Sequence, residues 1–178
     1  MKLNIGSGSD YREGYINLDF SNISSNGNPI KVDVVHNFLK APLPFEDNSI
    51  DEIIFRETLE HLNRVNGLRV LKDIYRVMKP GAKLDLTVPP ALEQLKLLIL
   101  AMSSAKNVTM DDFFKAHEKW TVWKRVDDLM GGCDKETDGT DGNSHKTLFT
   151  KEMLRPILEY VGFKILSIDD RIFVKAIK

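Results

Sequence analysis

Two glycines and a carboxylate, placed close together at the start of the chain, constrain its fold more than any other feature. Residues 2–5 form a short apolar run that leads straight into Gly6-Ser7-Gly8, and residues 15–18 form a second run that ends on Asp19. Glycines let a backbone approach a ligand closely, and an acid at the end of the second strand can accept hydrogen bonds from both hydroxyls of a ribose. The next glycine, Gly14, follows Gly8 after six residues rather than three, so the pyrophosphate-cradling G-x-G-x-x-G pattern is absent. The unit suits a nucleoside that carries no phosphate.

The rest of the chain supplies a sheet for that unit to belong to. Residues 31–35, 51–55 and 83–88 read as further strands, and 65–78 as an amphipathic helix whose apolar positions recur at spacings of three and four, stopped by Lys79-Pro80-Gly81. Residues 41–49 are turn-forming around an apolar plug, Leu43 and Phe45. Residues 91–144 are less orderly, with helical patterns at 91–99 and 111–130 and a polar, glycine-rich loop at 131–143. Thr150 caps a last helix that stops at Gly162, and residues 163–168 and 172–177 form a terminal hairpin. Strand–helix alternation followed by a hairpin predicts an α/β fold, a Rossmann-like, mostly parallel seven-stranded sheet with helices on both faces and an antiparallel C-terminal β-hairpin. A chain of 178 residues makes this one domain, 1–178, with an inserted helical or lid region at about 91–147.

Composition narrows the partners. A net charge of −1 leaves no electrostatic footprint for nucleic acid or an anionic membrane. No apolar run reaches the roughly 18 residues needed to span a bilayer. Cys133 is the single cysteine, which excludes an internal disulfide and makes a reducing cytoplasm the expected compartment. Residues 138–143 carry acids and turns but lack the spacing and terminal glutamate of a calcium loop, and no metal is expected.

Read together, Leu3-Asn-Ile-Gly-Ser-Gly8, the strand ending at Asp19, residues 43–51 with Leu59-Glu-His-Leu62, and Arg76-Val-Met-Lys-Pro-Gly81 resemble a class I S-adenosylmethionine-dependent methyltransferase. The likeness covers residues 2–90 and, more weakly, 148–163. It implies S-adenosylmethionine as cofactor, with Gly6, Ser7 and Gly8 along its methionine and ribose portion and Asp19 and Phe20 at the ribose. Asn37 takes the place of the family's adenine-contacting acid, beside Phe38; Asp33 is the alternative. Arg56 and Glu57 would sit near the methionine end. Two departures stand out. Asn4 replaces the acid common in the strand before the glycines, and Asp19 follows Gly8 by only eleven positions, too few for the family's usual loop and helix. That shortening resembles a small subgroup of predicted methyltransferases.

Such an enzyme must chiefly align a nucleophile with the methyl–sulfur bond, and a general base is optional. His61, after the fourth strand, and His145, at the end of the glycine-rich loop, are the candidate bases; each is equally read as a histidine with a local role. His117 and the aromatic residues Phe113, Phe114, Trp120 and Trp123 read as packing or as an acceptor wall. The expected acceptor is a small molecule. A cofactor-binding protein without transfer activity and a nicotinamide-dependent enzyme are the competing readings, and the oligomeric state is left open.

Overall fold

The computed structural model describes residues 1–24, 27–104 and 145–178. Seven strands form one sheet in the order β3-β2-β1-β4-β5-β7-β6. They are β1 (Lys2–Ile5), β2 (Ile16–Asp19), β3 (Val34–Val35), β4 (Ile50–Arg56), β5 (Met78–Thr87), β6 (Lys164–Ile168) and β7 (Phe173–Ile177). The first five run parallel, and β7 pairs antiparallel with both β5 and β6. The helices are α1 (Arg64–Val77), α2 (Ala91–Ser104) and α3 (Lys151–Val161). The expected helix at 111–130 with its aromatic residues, the glycine-rich loop, His117 and Cys133 lie outside the described residues. Among the described residues, no helix is long and apolar enough to cross a membrane.

Register makes the sheet two-faced. Leu18, Ile5, Phe55, Leu86 and Val174 are cross-strand partners, and all five are buried in one core with Val70, Leu71 and Ile74 of α1 and Leu154 and Leu158 of α3. Side chains alternate along a strand. The adjacent row, Asn17, Asn4, Ile54, Asp85 and Lys175, therefore faces the other way.

That second face is polar where β1 and β2 meet, and the connection between them explains it. Residues 6–15 contain no helix. Their backbone groups must find partners elsewhere, because unpaired buried amides and carbonyls are costly. Asn17 Nδ2 donates to the carbonyls of Arg12 and Tyr15 and to Asp33, while its Oδ1 accepts from the Arg12 amide at 2.9 Å and from Asn4 Nδ2 at 3.1 Å. Asn4 Nδ2 also donates to the Asp10 carbonyl at 2.8 Å. Asn4 thus anchors the shortened connection. Asp33 is bound in the same way, accepting from the amide and side chain of Asn17 and from the Tyr11 hydroxyl. These hydrogen bonds, the Asn17 amide's foremost, hold its carboxyl below the usual range.

The remaining boundaries differ in instructive ways. β3 is two residues long, shorter than the pattern at 31–35. Asn63 caps α1, its side chain accepting from the Asn66 amide at 2.9 Å. The helix ends at Val77, but Lys79-Pro80-Gly81 is no connecting loop: it is the irregular start of β5. Between Ile50↔Met78 and Glu52↔Lys83, β5 advances five positions while β4 advances two, and Gly81 takes up the turn at φ 78°. The apolar plug packs against α1, where Arg76 donates to the carbonyls of Leu43 and Phe45 and Asp73 accepts from the Leu43 amide.

Candidate cofactor and acceptor site

Parallel strands held in register end at a common rim, and a ligand site forms where their carboxyl ends and the following loops meet. After β1 the chain turns through Gly6 and Gly8, both at positive φ (67° and 50°). The amides of Gly6 and Ser7 converge on the Leu18 carbonyl at 2.8 and 3.2 Å, and that of Gly8 donates to Asp19 Oδ2 at 2.8 Å. Asp19, only 5% exposed, therefore holds the glycine loop in place. A carboxylate has about four acceptor sites, so Asp19 keeps capacity for a ligand. At Gly6 a Cβ would lie 2.2 Å from Thr58 Oγ1, whereas at Gly8 it would meet nothing within 4 Å. One glycine is demanded by packing and the other leaves an open surface.

Glu57, just past β4, holds a left-handed backbone at φ 47°, uncommon for a residue with a side chain. The end of β5 stabilises it. Its amide donates to the Thr87 carbonyl at 3.0 Å, and Thr87 Oγ1 donates to Glu57 Oε1 at 3.0 Å. The chain then winds through a 3₁₀ turn, Leu59–His61. Lys146 and Thr147 dock on this turn: their amides donate to the Glu60 carbonyl at 2.8 and 3.1 Å, and Thr147 Oγ1 donates to the Leu62 carbonyl. That docking brings His145 edge-on to His61, with ring centroids 5.1 Å apart.

A cavity of about 270 Å³ opens between these segments. Gly6, Gly8, Asp19, Phe20, Asn37, Phe38, Glu57 and His61 all line it. Asn37 Oδ1 accepts from the Leu39 amide at 3.0 Å and retains a second lone pair. Three of the expected residues stand apart from the lining. Ser7 is buried, and its hydroxyl has no hydrogen-bond partner among the described residues. Arg56 is engaged with Asp85 in a two-pronged pair (Nε to Oδ1 2.9 Å, Nη2 to Oδ2 2.7 Å), a carboxylate also reached by Lys175. His145 reaches the cavity through its contact with His61.

Sequence reasoning missed Thr58, Lys146 and Glu60. Thr58 and Lys146 line the cavity, and their adjacency to Glu57 and His145 was the available signal. Glu60 is 2% exposed, and neither of its carboxylate oxygens accepts a hydrogen bond among the described residues. Burial pushes this carboxyl up to about 8, and the negative charge of Glu57 adds to the shift. A glutamate bracketed by Leu59 and Leu62 was the hint that it lies inside. Around the cavity, the carboxylates of Asp19 and Glu57 face the single ammonium of Lys146. Such a wall favours a positively charged ligand and disfavours a phosphate.

Residues 7–85 match a family model described as a methyltransferase domain, a span that takes in Gly8, Asp19, Asn37, Glu57 and His61. A solved S-adenosylmethionine-dependent methyltransferase from Methanosarcina mazei superposes with a TM-score of 0.58 at 23% identity, over 99% of this chain and 89% of its own. The chain has the class I methyltransferase fold. Further structural neighbours are S-adenosylmethionine-dependent methyltransferases from Archaeoglobus fulgidus (TM-score 0.54, 20% identity, 94% of this chain and 64% of that one) and Mesorhizobium loti (0.54, 15%, 99% and 90%). Among curated protein sequences no match is found. The side-chain-free surface at Gly8, the carboxylate at Asp19 and the anionic wall fit a cationic nucleoside.

Proposed function

We propose that this chain is an S-adenosylmethionine-dependent methyltransferase acting on a small-molecule acceptor. The observation that carries the reading is the cavity itself, where a Gly-Ser-Gly turn and a buried carboxylate stand at the ends of adjacent parallel strands beneath an anionic wall. Asp19 takes the ribose hydroxyls while it holds Gly8. Asn37 and Phe38 receive the adenine, and Glu57 lies towards the positive end of the ligand. The bound cofactor supplies an electrophilic methyl group. The chain's own contribution is to orient the acceptor and exclude water, with His61 on the cavity wall and His145 in contact with it where the acceptor's proton leaves. His145 and Lys146, docked beside His61, provide the acceptor side. The single cysteine fits a reducing, cytoplasmic setting.

Calorimetry with S-adenosylhomocysteine tests the cofactor assignment. Each lost hydrogen bond to a charged group removes about 1.5–3 kcal/mol, so Asp19→Ala weakens binding by at least about ten-fold. Unchanged affinity in that variant refutes the ribose assignment. Transfer of label from S-adenosylmethionine into a small-molecule extract is the expected activity; tight binding with no transfer to any fraction would favour a cofactor-binding protein instead.

A further inference from the structure

Glu60, His61 and His145 each present a ligand atom, and the three atoms lie within 4.8 Å of one another. Three points that close share a centre no more than about 2.8 Å from each of them, against metal–nitrogen and metal–oxygen bonds of about 2.0–2.2 Å. Side-chain adjustments of less than 1 Å would therefore close a coordination shell. The glutamate is the telling member. Its side chain is 3% exposed, and its oxygens accept no hydrogen bond among the described residues. His61 Nε2 stands 3.8 Å from its Oε1, near enough for an ion pair but not for a hydrogen bond. A buried carboxyl that accepts no hydrogen bond is expensive, and buried charges are ordinarily paired or bind metal.

The backbone is arranged to hold this cluster together. The Glu60 carbonyl takes both amides of Lys146 and Thr147, and the Leu62 carbonyl takes the Thr147 hydroxyl. This stitching clamps a segment distant in sequence onto the 3₁₀ turn and sets His145 beside His61. Beyond it stands Glu57, a second carboxylate on the cavity wall.

We infer that Glu60, His61 and His145 form a binding site for a divalent first-row transition cation at the acceptor side of the cavity. Two imidazoles and one carboxylate suit zinc, iron, cobalt or nickel rather than magnesium or calcium, which prefer all-oxygen shells. Three protein ligands leave positions open for an acceptor oxygen. The inference rests on the methyl-transfer reading for its purpose and specifies the acceptor as an oxygen-bearing molecule able to coordinate the cation. A coordinated hydroxyl is acidified. Its proton passes to water, its oxygen forms the new bond to the methyl carbon, and the carbon–sulfur bond breaks, with the electron pair remaining on sulfur as a neutral thioether. In this arrangement the histidines act by holding the cation.

Titration of the metal-free full-length protein with Co²⁺, in the absence of S-adenosylmethionine, tests the site. The expected result is a saturable visible absorption band at one equivalent, with a rise in Tm and no comparable response to Mg²⁺. Losing a group that merely hydrogen-bonds to a metal ligand costs about 10–100-fold in metal affinity, so His145→Ala and the near-isosteric Glu60→Gln, which remove ligands themselves, each weaken Co²⁺ binding by at least that much. Circular dichroism of both variants establishes that they are folded. Absence of a saturable Co²⁺ signal, or a signal unaltered in both folded variants, overturns the inference. S-adenosylhomocysteine binding measured on the same wild-type sample separates the two ideas. If it persists without Co²⁺ binding, the metal site alone is refuted. If Co²⁺ binds and the nucleoside does not, the site stands and its role in methyl transfer falls.

Discussion

Replacing Gly6 with alanine tests whether the glycine loop is shaped by packing from beneath. A residue with a side chain at φ 67° pays about 1–2 kcal/mol for the left-handed conformation. The new Cβ would also sit 2.2 Å from Thr58 Oγ1, 2.7 Å from its Cγ2 and 3.0 Å from its Cβ, so no rotation of Thr58 clears it. Moving Thr58 gives up the 2.8 Å hydrogen bond from its hydroxyl to the Arg56 carbonyl, worth about 1 kcal/mol. Overpacking of this kind adds about 1–3 kcal/mol. Gly6→Ala should therefore lose about 3–6 kcal/mol, a large share of the 5–15 kcal/mol typical of a domain. Any relief by lifting the loop pulls Gly8 from Asp19 and costs nucleoside affinity. Urea unfolding and calorimetry with S-adenosylhomocysteine measure the two effects. Gly8→Ala, with open space around its Cβ, should lose only the conformational part, about 1–2 kcal/mol. Adding Thr58→Ala to Gly6→Ala should recover about 1–2 kcal/mol through positive coupling. A Gly6→Ala protein within about 0.5 kcal/mol of wild type, or no coupling to Thr58, refutes the reasoning.

Asn17→Ala should strand the loop carbonyls of Arg12 and Tyr15 and cost about 2–4 kcal/mol in urea unfolding, with Asn17→Asp no better because it keeps the acceptor but loses the donors. Gly162→Ala should cost about 1–3 kcal/mol, since φ is 117° and a Cβ would press to 2.9 Å from the Tyr75 ring, which meets Phe163 edge to face; the Tm shift of the variant checks it. Burial alone would raise the Asp85 carboxyl, but hydrogen bonds from Arg56 and Lys175 outweigh it and hold the group below its ordinary 3.8. A carboxyl lowered on folding contributes stability above its unfolded value and loses it as pH falls through the folded value. Wild type should therefore lose stability below about pH 4 more steeply than Asp85→Asn, and equal slopes in acid urea titrations would remove the pair from the account.

Much of the frame was legible because local chemistry and tertiary structure agree. The strands at Lys2–Ile5 and Ile16–Asp19, the helix Arg64–Val77 and the capped helix Lys151–Val161 follow apolar periodicity and end signals that act within a few residues. The terminal hairpin was legible for the same reason. β5 was not. Lys79-Pro80-Gly81 carries a stop signal for the helix, and a stop signal does not specify whether a loop or an irregular strand follows. Here β4 captures Met78 immediately, and Gly81 takes up the extra residues. Arg56 shows the same limit at the site. Its position after a strand matched the rim, but Asp85 on the neighbouring strand claims its guanidinium.

The sequence by itself determined that a glycine turn and a carboxylate must close together at the ends of two adjacent strands, because the ten residues between Gly8 and Asp19 cannot hold the usual helix. The class of fold followed from strand–helix alternation closed by a hairpin, and the expectation of a phosphate-free nucleoside from the missing third glycine. Only the tertiary structure decided what replaces the missing helix, namely the amides of Asn4 and Asn17 satisfying the loop's backbone. It alone placed His145 against His61 and turned Glu60 inward beside them. Those arrangements depend on which strands pair and which distant segment docks on a turn, and such long-range choices are settled by burying apolar area and satisfying polar groups across the whole domain.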